Sequence, residues 1–188
     1  MVADIALESG YAEIVFIDDG ENDIPSYEIF KERYGRSVAV ALGIGDNRKR
    51  KEMFMKLMDD GMDLCTLVHP SATISKSASI GTATVVMPGV VVNADAVVGC
   101  GVILNTNSVV EHDCRIGDFV HISPQAALGG GVEIGDLTHI GLSSCVIQSI
   151  RIGWKCIVGA GSTVVSDIEE CTTSLGSPAK VIKRHECG

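Results

Sequence analysis

Residues Val98–Leu128 have the sequence VGCGVILNTNSVVEHDCRIGDFVHISPQAAL, in which every sixth residue is aliphatic. The spacing continues in both directions without a slip, at Val68, Ile74, Ile80, Val86, Val92, Val98, Leu104, Val110, Ile116, Ile122, Leu128, Ile134, Ile140, Val146, Ile152, Val158 and Val164. A period of six matches neither the helical repeat of about 3.6 residues nor the strand alternation of about 2. A short fixed period predicts a solenoid, in which the chain turns a corner in every repeat and stacks each coil on the previous one.

Two other positions of the repeat are restricted. The fourth residue after each aliphatic position is usually small or β-branched, as at Ala96 and Cys114, and glycine recurs at the first, as at Gly99 and Gly117. We expect these glycines to supply the backbone angles of the corners. Three hexapeptides make one triangular coil, so residues eighteen apart are predicted to stack in columns, His121 on His139 among them.

The composition suits such a prism and excludes several classes of partner. Hydrophobic residues make up 46% of the 188, but aromatic residues only 4%, as expected for a narrow core of valine and isoleucine. The net charge of -9 argues against a nucleic-acid surface or an anionic membrane surface. Residues 85–104 are almost entirely apolar, but Pro88, Asn93 and Asp95 and the unbroken register argue against a membrane span.

The seven cysteines show no zinc-binding spacing. Cys114 and Cys156 fall at small-residue positions of the repeat, where we expect them to fill the core. A reducing cytoplasm is the predicted location, and no signal peptide is visible.

The chain before the repeat has a different pattern, in which helices and strands alternate. This alternation indicates a small α/β unit with a parallel sheet. The predicted elements are helices over 2–9, 26–34 and 46–60, the second only a short one, and strands over 13–19, 37–43 and 63–68. We therefore predict three regions: an α/β unit over 1–67, the β-helix over 68–167 and a tail over 168–188.

Four segments together resemble one family: the strand ending in Asp18-Asp19, the stretch ALGIGDNRKR at 41–50, the repeats, and LGSPAK at 175–180. They are similar to the bacterial nucleotide-sugar N-acetyltransferases of the hexapeptide-repeat acyltransferases, close kin of the sialic acid O-acetyltransferase-like proteins. The resemblance implies a left-handed parallel β-helix preceded by a Rossmann-like α/β domain. Family members begin with a strand and a Gly-His-Gly loop; this sequence begins inside the following helix, so we expect both to be missing.

The activity that the resemblance implies is acetyl transfer from acetyl-CoA to the 4-amino group of a UDP-linked amino-dideoxy sugar in glycan biosynthesis, by a homotrimer with sites between its subunits. His112 matches the family's general base and Asp113 the residue that orients it, and imidazole titrates in the range this role needs. Asn105 and His121 match residues near the amino sugar. No metal is required.

Further residues are assigned to the two substrates by the same resemblance. The Gly130 amide is expected beside the thioester carbonyl, with Leu142, Gly159 and Ala160 along the pantetheine arm and Lys180 near a phosphate. Asp18 and Asp19 are expected at the nucleotide, since ligands bind at the carboxyl ends of parallel strands.

Three alternatives stay open at this point. The same base and groove could serve O-acetylation of a sugar such as sialic acid, and a non-catalytic trimeric scaffold is another possibility. A zinc enzyme like the β-helical carbonic anhydrases is a third, but the spacing of His112, His121 and His139 does not match its ligands.

Overall fold

The six-residue repeat forms a three-sided parallel β-helix, as predicted. The computed structural model describes residues 1–18, 20 and 24–187. Each strand of the prism consists of one aliphatic repeat position and the residue before it. These strands are β3 Leu67–Val68, β4 Thr73–Ile74, β5 Ser79–Ile80, β6 Val85–Val86, β7 Val91–Val92, β8 Val97–Val98, β9 Ile103–Leu104, β10 Val109–Val110, β11 Arg115–Ile116, β12 His121–Ile122, β13 Ala127–Leu128, β14 Glu133–Ile134, β15 His139–Ile140, β16 Cys145–Val146, β17 Arg151–Ile152, β18 Ile157–Val158 and β19 Thr163–Val164.

Every third strand joins the same sheet, so the prism has three faces. The first sheet contains β3, β6, β9, β12, β15 and β18; the second contains β4, β7, β10, β13, β16 and β19; the third contains β5, β8, β11, β14 and β17. Paired residues are eighteen apart, as in His121 opposite His139. We name the turns by the sheets they join: the first–second, second–third and third–first corners.

The interior is filled by the repeat positions that the sequence indicated. The aliphatic side chains of Val86, Leu104 and Ile122 are fully buried, and so are the small side chains of Cys114 and Cys156. The prediction that these two cysteines fill the core is confirmed. The burial of apolar side chains along the whole prism is the main stabilising contribution to its fold.

The reason for the recurring glycines differs from the prediction. The left-handed backbone angle falls on the third residue after the aliphatic position, as at Asp113 (φ 62°) and Phe119 (φ 57°), and not on the first. The glycines at the first position face the next coil instead: a Cβ on Gly135 would lie 2.5 Å from the amide nitrogen of Trp154. Close stacking of the coils, not backbone freedom, therefore requires glycine there.

The described residues of the N-terminal unit form three helices and a two-stranded parallel sheet. The helices are α1 Val2–Glu8, α2 Tyr27–Tyr34 and α3 Asn47–Asp59, and the strands are β1 Ala39–Val40 and β2 Asp63–Leu64. The three predicted helices are confirmed, and the Asp46 side chain caps α3 by accepting the Lys49 N–H at 2.9 Å. Ile5 of α1 is buried in the same apolar cluster as Leu67 and Val85, so this helix covers the first coil.

The predicted strand over Glu13–Asp19 is wrong for residues 13–18, which form no strand; Asp19 lies outside the described residues. Within the described chain this segment has no ladder partner, and Asp18 donates one backbone hydrogen bond to Pro25 at 3.3 Å. Ile17 packs against the apolar cluster of the N-terminal unit, but 62% of Phe16 is exposed. The hydrophobic run alone misled the prediction, because strand formation needs a partner.

The predicted tail over 168–188 is more ordered than expected. Ile168 bridges Ile152 and continues the third sheet, and β20 Thr172–Gly176 then pairs with β18 and with the antiparallel strand β21 Ala179–Arg184. A bond between Cys171 and Cys187 ties the chain end to this hairpin, a pairing that the sequence analysis did not anticipate. None of the helices in the described part of the chain has the length and apolar character of a membrane span.

Candidate active site

His112 lies at a second–third corner, between β10 and β11, and its imidazole is oriented by its neighbour. The Nδ1 nitrogen donates to Asp113 Oδ2 at 2.8 Å. The left-handed backbone angle of Asp113, which aspartate tolerates better than most residues, belongs to this corner. With Nδ1 bonded to a carboxylate, the lone pair of the neutral ring is on Nε2, which has no protein partner among the described residues.

Gly130 lies directly against the His112 ring, one coil along. A Cβ at Gly130 would come within 2.6 Å of both Cε1 and Nε2 of His112. The Gly131 N–H donates to the His112 carbonyl at 2.8 Å, which fixes the two corners on each other. Within residues 1–18, 20 and 24–187, no hydrogen-bond acceptor engages the Gly130 amide. The predicted base and the predicted oxyanion donor are therefore neighbours.

The electrostatics of His112 suit proton acceptance. The hydrogen bond to Asp113 is the main reason why the pKa of His112 is raised above its usual value, and the charges of Asp113 and Glu111 act in the same direction. Its side chain is 62% exposed, so a substrate can reach it from solvent. A raised pKa makes the imidazole a stronger base, as the acceptance of a proton requires.

A second group forms on the first sheet around His121. Asn105 Oδ1 accepts the Thr106 N–H at 2.8 Å, which turns the Asn105 amide nitrogen toward His121 Nε2 at 3.1 Å. The His121 ring stacks on His139 with centroids 4.7 Å apart, which confirms the column that the period predicted. Ser123 contacts His139 Nε2 at 2.7 Å.

This second group is held in its neutral form. The pKa of His121 is lowered to about 4, chiefly by burial and also by the nearby charges of His139 and Arg50. Burial also lowers the pKa of His139. His121 is therefore a poor candidate for a base that cycles through a charged state, and a better one for fixed hydrogen bonding.

One chain does not bring His112 and His121 together. His112 lies at the corner where the second and third sheets meet, and His121 lies on the first sheet, the face opposite that corner. In a three-sided prism these two positions are on opposite sides of the core. A site that uses both imidazoles needs a second copy of the chain.

The residues predicted for the cofactor lie on two different corners. Gly130 belongs to the second–third corner, while Leu142, Gly159 and Ala160 belong to the first–second corner, with Leu142 and Ala160 in one column. The side chain of Leu142 is 50% exposed. Lys180 is exposed on β21. The four corner residues flank the second sheet. The residues predicted for the cofactor are thus not gathered into one cleft of a single chain.

Asp18 lies apart from these groups in the N-terminal unit, exposed, where its Oδ1 accepts the Gly20 N–H at 2.8 Å. Asp19, predicted with it, lies outside the described residues. Among residues 1–18, 20 and 24–187, no three His, Cys, Asp or Glu side chains are grouped so as to hold a metal ion.

The sequence analysis missed one residue next to the site, Arg50. Its side chain is 1% exposed, although it is surrounded by basic residues in the sequence. The available signal was its spacing of seven from the buried Leu57, which places both on one face of α3.

Known proteins resemble this chain over nearly its full length. Residues 1–57 match the PglD N-terminal domain. PerB from Caulobacter crescentus, solved with CoA and GDP-perosamine, is 34% identical over 97% of this chain and 91% of its own, with a TM-score of 0.91. The acetyltransferase domain of PglB from Neisseria gonorrhoeae, solved with acetyl coenzyme A, is 38% identical over 96% and 92%, with a TM-score of 0.89. WeeI from Acinetobacter baumannii is 28% identical over 89% and 85%, with a TM-score of 0.84.

Proposed function

Because this chain belongs to the hexapeptide-repeat N-acetyltransferases of nucleotide-linked amino sugars, we propose that it acetylates the 4-amino group of such a sugar, with acetyl-CoA as donor. The observation that carries the proposal is the second–third corner, where His112, its orienting Asp113 and the side-chain-free Gly130 are in contact.

The proposed mechanism is direct attack. The neutral amine nitrogen of the sugar bonds to the thioester carbon while His112 Nε2 takes the proton that the nitrogen loses. Asp113 holds the imidazolium that forms, and the Gly130 N–H donates to the developing oxyanion. The C–S bond then breaks, the sulfur leaves as the CoA thiol after receiving the proton from His112, and the acetamide remains.

We propose that the active form is a homotrimer with its sites between subunits. The opposite placement of His112 and His121 supports this, because a second–third corner of one copy can face the first sheet of its neighbour. In that arrangement His112 supplies the base, while Asn105 and His121 of the adjacent copy position the amino sugar. The cofactor residues Leu142, Gly159, Ala160 and Lys180 would then complete a groove that needs two walls.

Our proposal for the identity of the nucleotide is less specific than our proposal for the group that is acetylated. We predict that Asp18 and Asp19 contact the nucleotide, which the family resemblance suggested to be UDP, whereas PerB was solved with a GDP-sugar. We also propose a cytoplasmic location, because thiols persist in reducing compartments and the pair Cys171–Cys187 at the chain end is the exception among the cysteines. The free thiols are Cys65, Cys100, Cys114, Cys145 and Cys156.

The test is a thiol-release assay with acetyl-CoA and a panel of UDP-, GDP- and dTDP-linked 4-amino sugars, with sialic acid as the O-acetyl acceptor. We expect amine acetylation with at least one nucleotide, and a loss in His112→Ala of roughly 10²–10⁴-fold in kcat, the usual contribution of a general base. Lys76→Ala, an exposed change on the first coil, is the matched control. Full activity of His112→Ala would contradict the mechanism, and release only with sialic acid would favour the O-acetyl alternative.

A further inference from the structure

Arg50 is buried where the N-terminal unit meets the β-helix, and its guanidinium forms hydrogen bonds to both parts. Its Nε donates to the carbonyl of Gly101 at 2.7 Å, and its Nη2 to that of Phe119 at 2.9 Å and of Val120 at 3.4 Å. Gly101 and Phe119 are left-handed corner residues of successive coils. The Nε and Nη2 donors of the guanidinium therefore bind the third–first corner.

The other donors of Arg50 hold the loop that precedes α3. Its Nη1 donates to the carbonyls of Ile44 at 3.0 Å and Gly45 at 3.1 Å, and its Nη2 to Asn47 Oδ1 at 2.7 Å. Asn47 adds a bond from its Nδ2 to the Leu137 carbonyl at 3.0 Å, on the next coil. Arg50 and Asn47, both in the first turn of α3, thus hold the loop against three consecutive coils.

Stability alone accounts poorly for an arginine at this place. In the described residues no carboxylate lies within ion-pair distance of Arg50. Burial of the guanidinium lowers its pKa to about 10, which reflects the cost of removing this charge from water. Removing a charge from water is costly, but breaking the bonds of Arg50 would leave buried carbonyl groups unpaired, so Arg50 holds the backbone around it in fixed positions.

The corner that Arg50 holds leads directly into His121. Arg50 Nη2 donates to the carbonyls of Phe119 and Val120, the two residues before His121. Asn105 donates to His121 Nε2 at 3.1 Å, so the single proton of the neutral ring is on Nδ1. A ring displaced from this bond would no longer be held to one tautomer. Arg50 therefore joins the loop before α3 to the backbone that carries the ring proposed to contact the amino sugar.

We propose that Arg50 is a positioning residue for the acetyl transfer: it fixes the Ile44–Gly45 loop on the third–first corner, holds the backbone that leads into His121, and thereby sets the orientation of the His121 ring. The inference rests on the proposed function, in which His121 positions the amino sugar. Arg50 itself touches neither the substrates nor the reacting atoms. Its effect is therefore on the binding of the sugar nucleotide, and not on the handling of acetyl-CoA at the distant His112 corner of the same chain.

The experiment compares Arg50→Met, which keeps the bulk of the stem, with Arg50→Lys, which keeps the charge but not the fork. Arg48→Met, an exposed charge removal on the same helix, is the matched control. Two readouts are taken on full-length protein: the KM values for sugar nucleotide and for acetyl-CoA, and the ¹⁵N ring shifts of His121. Circular dichroism first establishes that each variant is folded.

We expect Arg50→Met to raise the KM for the sugar nucleotide about ten- to hundredfold, the usual cost of misplacing a positioning group, with the KM for acetyl-CoA unchanged. The His121 shifts should lose the pattern of a single Nδ1–H tautomer. Arg50→Lys should show the same changes at smaller size, and it decides the matter if Arg50→Met does not fold. His121 shifts and KM values equal to those of Arg48→Met, in whichever variant folds, would overturn the proposal. A wild-type protein that acetylates no sugar of the panel would contradict the proposed function, while the His121 shifts would still test Arg50.

Discussion

At the scale of single residues, the two histidine groups have opposite chemistry. His112 is exposed and made more basic by Asp113, whereas His121 is half-buried and kept neutral. The first group could be predicted because the family resemblance assigns the roles of His112 and Asp113. The second could be predicted only in part: the period places His139 beside His121, but the bond from Asn105 and the nearby charge of Arg50 became visible only in the structure.

Replacing Asp113 should shift the pH dependence of the reaction. The base is active when neutral, so kcat/KM rises with pH as His112 loses its proton. Asp113 raises the pKa of His112, so Asp113→Asn should move this acidic limb to lower pH and also reduce the maximum rate, since the imidazolium loses its partner. Rates measured between pH 5 and 9 test this. A limb that moves to higher pH, or an unchanged limb, would contradict the assigned pair.

Gly130→Ala should damage catalysis without unfolding the protein. The added Cβ would come within 2.6 Å of His112 Cε1 and Nε2, so the exposed ring must turn away from its bond with Asp113. We expect kcat to fall about ten- to hundredfold, as for a misplaced catalytic group, with little change in Tm. Gln148→Ala, which trims an exposed side chain of the same column, serves as the control. An unchanged kcat in Gly130→Ala would show that the contact of residue 130 with the His112 ring does not matter for catalysis.

At the scale of elements, the sequence predicted the prism far better than the unit before it. Each strand of the prism is specified locally by its repeat, and its partner is always eighteen residues away, so one correct period fixes every pairing. The segment over 13–18 has a hydrophobic run but no strand partner, and a hydrophobic pattern does not show whether a partner exists. The glycines illustrate an intermediate case: their positions were predicted, but their cause, the approach of the next coil, became visible only in the stacked structure.

A glycine that faces the next coil should therefore be sensitive to a single methyl group. In Gly135→Ala the Cβ would lie 2.5 Å from the Trp154 amide nitrogen and 2.7 Å from the Gly153 carbonyl carbon, and backbone atoms yield poorly. We expect a loss of about 1–3 kcal/mol in the free energy of unfolding, the range for overpacking, measured by urea denaturation. Gly43→Ala, where an added Cβ would meet nothing within 4 Å, should change it little. Equal stability of the two variants would argue against close stacking as the cause.

At the scale of the whole molecule, the prism separates the two halves of the proposed site by its own core. No local motif encodes this. It follows from counting: His112 and His121 are nine residues apart, half a coil, and half a turn of a triangular prism leads from a corner to the opposite face. The spacing of nine residues could be read from the sequence. Its consequence for assembly became visible only from the three sheets and their corners.

Two inactive variants should restore activity when they share a trimer. His112→Ala lacks the base and His121→Ala lacks the sugar contact, so each homotrimer should be impaired at every site. In trimers coexpressed in equal amounts, about a quarter of the sites should combine an intact His112 with an intact His121 from the neighbour, as random mixing in a closed ring requires. Recovery of that fraction of wild-type activity, with the trimer mass checked by light scattering, supports the shared site. No recovery from verified mixed trimers would place both histidines in separate functions.

The columns of the β-helix have a consequence for what length of ligand fits. Asn105 and Gly159 occupy the same corner position three coils apart, which corresponds to roughly 14 Å at a spacing of about 4.8 Å per coil. Equivalent positions in one column are therefore separated by whole numbers of coils. Loss or gain of eighteen residues would keep every side chain on its face and every corner in register, and would alter only the distance between two such positions. Enzymes built this way can evolve toward shorter or longer donors by whole coils, without redesigning a single contact.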